Sequence, residues 1–162
     1  MFSRRLRLSF AALGLVALGA LTACDKPTPV AGIVAGGKYV NAEATIWCFG
    51  DDVYTGPGSC SERQIKTPRV KVRGGEQVSV EVPKEVADKG WYVAVATEPA
   101  GEEKEENEPQ FQRGPVQEDS TYFSFTVPQF ESTPMIPVQV IALGEGDTNT
   151  GIWQFLLVNS EI

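Results

Sequence analysis

The chain contains three cysteines, 21 carboxylate side chains and no histidine, and that inventory limits its chemistry before any fold is considered. Without histidine there is no serine-histidine or cysteine-histidine relay and no imidazole metal ligand. The chain also lacks a G-x-S-x-G elbow, an S-x-x-K motif, a phosphate-binding glycine loop and an H-E-x-x-H helix. A pair of carboxylates could still act as acid and base, and Asp51-Asp52, close to Trp47, is the best local candidate; the plainer reading is two acids capping a loop. Residues 144–151, Gly-Glu-Gly-Asp-Thr-Asn-Thr-Gly, offer oxygen ligands but lack the spaced acids and closing glutamate of a calcium loop, and read first as a hairpin turn. Trp47, Trp91 and Trp153 could stack on sugar rings if exposed, yet each lies in an apolar run where a large aromatic fills a core. Binding by charge has a clearer candidate. Arg69, Lys71 and Arg73 alternate with Val70 and Val72, so in an extended strand the three cations share one face. That face is either a solvated edge that discourages pairing or a docking strip for an acidic partner.

The third cysteine, Cys24, stands in a different context. Arg4, Arg5 and Arg7 precede an uncharged run over residues 8–21, which has the length and flanks of a signal peptide and falls short of the roughly 20 apolar residues of a transmembrane helix. The run closes on Leu21-Thr22-Ala23-Cys24. This tetrapeptide resembles the bacterial lipobox, in which a diacylglycerol thioether forms on the cysteine before the preceding peptide is removed. The resemblance implies a cleaved signal peptide over residues 1–23 and a lipid-anchored cell-membrane protein held by Cys24 on the extracytoplasmic face, since two acyl chains anchor stably where one does not. Ser3-Arg4-Arg5 with Leu8 is similar to part of a twin-arginine signal, although Arg7 stands where an aromatic is usual, so the export route stays open.

Removal of residues 1–23 leaves 139 residues, enough for one domain with a sizeable core. Eleven basic and 21 acidic residues remain, for a net charge of −10, which argues against nucleic acid as a partner. With Cys24 acylated the remaining cysteines are an even pair, and in an exported protein Cys48 and Cys60 are expected to form a disulfide. Two thiols without histidine make a poor zinc site; no metal and no cofactor is expected.

The elements that must position these residues follow from period-two patterning, because no segment after residue 24 sustains a helical stripe. Residues 24–38 carry two prolines, Pro27 and Pro29, and three glycines, and read as the lipidated cysteine followed by a flexible tether. From residue 39 to 162 the pattern predicts a single all-β domain, an Ig-like β-sandwich of about seven or eight antiparallel strands, with a small β-barrel as the alternative. The expected strands cover residues 44–48, 69–73, 77–82, 91–97, 110–116, 121–127, 136–143 and 152–158. Arg73-Gly74-Gly75-Glu76 reads as a hairpin turn, and residues 84–89 as a polar connector with one helical turn. Two long loops are expected: residues 50–67, stapled by Cys60, and residues 99–109, which carry five glutamates.

The lipobox, Trp47-Cys48, and Val82-Pro83-Lys84-Glu85-Val86 followed by Trp91 together resemble the actinobacterial lipoproteins grouped as domain of unknown function 2771. The resemblance implies an envelope lipoprotein and supplies no catalytic residue. The function expected from the sequence is therefore a membrane-anchored, non-catalytic binding or accessory module that meets an envelope protein or an anionic envelope polymer through Arg69, Lys71 and Arg73. The alternatives are a carrier holding a small or lipidic ligand between its sheets, and a carboxylate-dependent hydrolase.

Overall fold

A computed structural model describes residues 27–97, 110–130 and 134–160. The expected signal peptide, Cys24 and the glutamate-rich segment 99–109 lie outside the described residues.

Alternating apolar residues build two sheets that face each other. The first has the order β2 (Lys38–Glu43), β1 (Val30–Ala35), β6 (Gln77–Glu81), β9 (Tyr122–Thr126). The second has the order β4 (Ser61–Glu62), β3 (Ile46–Trp47), β11 (Asn149–Asn159), β10 (Met135–Leu143), β7 (Trp91–Thr97), β8 (Gln110–Arg113), with β5 (Arg69–Val72) also paired to β11. The sheets do not close into a barrel, so the architecture is a β-sandwich. Its core is filled by the inward residues of both sheets. Ile33, Val80, Val140, Trp153 and Leu157 have no exposed surface, and Phe123 and Phe125 pack against this cluster from β9.

Three expectations are corrected. The segment 30–37 is no tether: Val30–Ala35 is β1, an inner strand that pairs with β2 on one side and β6 on the other. Its alternation is Ala31, Ile33 and Ala35 inward, and two small residues in three hid the stripe. The sandwich consequently begins before residue 39. The strand count rises to eleven among the described residues, because β1, β2 and the two-residue β4 join the eight expected.

The third correction concerns Arg73-Gly74-Gly75-Glu76. A turn does form there, with Glu76 N–H donating to the Arg73 carbonyl at 3.1 Å and Gly75 at φ 78°, a conformation that glycine adopts without steric cost. Yet β5 and β6 do not pair. β5 runs parallel to β11, and β6 pairs with β1 and β9, so the chain passes from one sheet to the other. Gly75 N–H donates to the Val127 carbonyl and Val127 N–H donates to the Glu76 carbonyl, which carries the β6–β9 pairing into the turn and takes the place of a hairpin ladder.

The connector between β6 and β7 is the single turn α1 (Lys84–Ala87). Lys84 is held above the ordinary lysine range by its hydrogen bond to the Asp88 carboxylate and the attraction of that charge. The two fully buried tryptophans direct their N–H groups to loop carbonyls: Trp91 Nε1 to Ser120 at 2.6 Å and Trp153 Nε1 to Pro29 at 2.9 Å. Each indole thus ties a connecting segment to the core.

Candidate functional site

β5 is an edge strand built as its sequence requires. Val70 and Val72 are buried at 2% and 1% exposure, while Arg69 and Lys71 are exposed on the opposite face and Arg73 is exposed just beyond the strand. The parallel register with β11, Leu157 beside Val70 and Asn159 beside Val72, fixes this phase, because a slip of one residue would turn the cations inward.

Beside β5 lies an open groove of ≈ 640 Å³ between the two sheets, lined by Arg69, Lys71, Arg73, Lys38 and Glu76, with Ala35 and Gly36 from the end of β1. Four cations and one carboxylate among the described residues line it. Among the described residues the ion pairs are Arg63 with Glu43 at 2.7 Å and Lys84 with Asp88, so none neutralises the strip. Glu76 Oε2 instead accepts from the Arg73 backbone N–H at 2.9 Å, a contact that shapes the turn. The geometry can hold an anionic group between β5 and β2 through charge-assisted hydrogen bonds.

Lys38 is the member the sequence reading missed. It was placed in the tether, and only the pairing of β2 with β1, Lys38 opposite Ala35, carries it to the groove. Arg63, earlier in the chain than the strip, lies apart from it and joins Glu43 at the end of β2.

The other sequence candidates gather at the opposite end of the sandwich. Cys48 and Cys60 are joined, with Cα atoms 4.7 Å apart, one step past the Trp47–Ser61 pair of the β3–β4 ladder. The loop they close is held to the domain by Tyr54 N–H on the Asn149 carbonyl at 2.8 Å. Asp51 and Asp52 line a cleft with Gly144, Glu145, Thr150 and Lys89. The acid pair and the glycine-rich turn, read separately in the sequence, therefore share one wall. Among the described residues no three acidic or sulfur side chains are placed to hold a metal ion.

Residues 144–151 connect β10 to β11 as expected. A 3-10 turn at Glu145–Asp147 is closed by Gly144 N–H on the Thr148 carbonyl at 2.7 Å and by Thr148 Oγ1 on the Glu145 carbonyl at 2.9 Å. These oxygens and amides are committed to the turn itself. Of the tryptophans, Trp91 and Trp153 are core residues, and Trp47 is half-buried, its ring centroid 5.6 Å from that of Trp153 at an angle of 54°.

Compared with protein-family models and with curated proteins, the chain matches none.

Proposed function

We propose that this chain is a lipid-anchored envelope protein, held through Cys24, that acts as a non-catalytic binding module and recognises an acidic partner with the groove formed by Arg69, Lys71, Arg73 and Lys38. The observation that carries the reading is the strip of exposed cations on an edge strand beside an open groove, in a domain whose overall charge is strongly negative. Such a local reversal of sign steers an anionic partner to one place. The interior supports recognition at the surface over carriage between the sheets, because Ile33, Val80, Val140, Trp153 and Leu157 fill that space.

The lipobox and the resemblance to domain of unknown function 2771 supply the address. The membrane is the first partner, through the lipid; the second is an envelope protein or an anionic envelope polymer. Reversing the strip with R69E/K71E/R73E tests the binding claim. The variant should retain its melting temperature, since exposed charges contribute little to folding individually, and should recover much less partner from envelope extract at low salt. Equal recovery by the variant would return the strip to a solvated edge.

A further inference from the structure

Two observations relate the groove to the lipid expected on Cys24. The first is length. Thr28 is buried, and the Pro29 carbonyl is held by Trp153, so the fold grips the chain four residues after Cys24. At about 3.3 to 3.6 Å per residue, four residues span at most about 14 Å. The second is direction. β1 starts beside that grip at Val30 and ends at Ala35 in the groove, and Arg73 sits in the turn at the same far end. Five strand steps of about 3.3 Å put Ala35 about 17 Å from Val30 along the strand. Inverting the domain to press the groove's far end onto the bilayer needs more chain than this tether provides.

The four cations of the groove sit together at that far end, on β5, the turn after it and the start of β2. The strip is also regular. Arg69, Lys71 and Arg73 at period two are about 6.6 to 6.8 Å apart, with Lys38 contributed by the facing sheet. A row of this kind matches repeated charges along a chain, whereas a compact anion would be satisfied by one guanidinium.

We propose that the groove between β2 and β5 binds a linear polyanion of the envelope, bearing phosphate or carboxylate on successive units and arriving from the side away from the bilayer, and not the headgroups of the membrane that holds the protein. The orientation rests on the anchored reading above; the ligand class rests on the groove alone.

The test uses protein isolated from its exporting host and reconstituted in phosphatidylcholine vesicles, with fluorescent long-chain polyphosphate as the probe and anisotropy as the readout. Binding should weaken roughly tenfold or more in R69E/K71E/R73E, should weaken with salt as counterion release requires, and should be far tighter for the long chain than for pyrophosphate. Adding phosphatidylglycerol to the vesicles should not displace the probe. Equal binding by the variant, with its melting curve unchanged, overturns the groove as the site. Equal binding of pyrophosphate overturns the linear ligand, and displacement by phosphatidylglycerol makes headgroups the source and overturns the orientation. The mass of the N-terminal peptide separates the two readings: an unlipidated Cys24 ends the anchored reading, while the same titration in solution still judges the groove.

Discussion

Trp47 shows at the scale of one residue how closely this fold is packed against a position without a side chain. A Cβ placed on Gly151 would lie 2.5 Å from the Trp47 ring, and the same ring lies against Trp153. Gly151→Ala must therefore push Trp47 off β11, and overpacking of this kind costs about 1 to 3 kcal/mol. A denaturant melt should show that loss without a change in slope; an unchanged midpoint would mean the indole has room to move. The cation strip predicts the opposite result at Arg69, Lys71 and Arg73, where substitution alters binding and leaves stability intact. These three were legible in sequence because valine alternates with cation over five residues. Lys38 was not, because its relevance depends on a pairing between β1 and β2 that no local pattern announces.

β1 carries the main lesson at the scale of elements. Ala31 and Ala35 are as buried as Ile33 to within a few per cent, but alanine and glycine following two prolines look like a linker when only side-chain bulk is read. The strand's worth lies in its place, with β2 on one side and β6 on the other, and that place is set by the rest of the sheet. A chain beginning at residue 39 should therefore fail to melt cooperatively, whereas one beginning at residue 24 should melt as the exported protein does. A cooperative transition for the shorter chain would contradict the assignment. The switch of sheets at Gly74-Gly75 escaped for a similar reason: a two-glycine turn specifies a reversal, not which strand will accept the next one. β6, β7, β10 and β11 were legible since each buries at least one face through strict alternation or a long apolar run, and β9 since half-buried Phe123 and Phe125 alternate on the face toward the core.

The Cys48–Cys60 link belongs to the same scale. It closes a short loop between two-residue strands that could hardly persist by ladder bonds alone, and it restricts the unfolded chain by about 3 kcal/mol in the entropy model. Reduction should lower the melting temperature by roughly 10 °C. Two free thiols in denatured protein taken from its exporting host would remove this bridge from the account.

Taken whole, the molecule is a sandwich with a cationic groove at the end away from where the chain enters, and at most a few residues separate that entry from the position where lipid is expected. Its polarity has meaning only if Cys24 is the anchor, and that is the claim most directly open to measurement. Protein recovered from the envelope fraction of its exporting host should yield an N-terminal peptide that begins at Cys24 and carries the mass of a diacylglyceryl group, and Cys24→Ala should abolish both the lipid and the membrane association. A membrane-bound product whose N-terminal peptide is unmodified would contradict it.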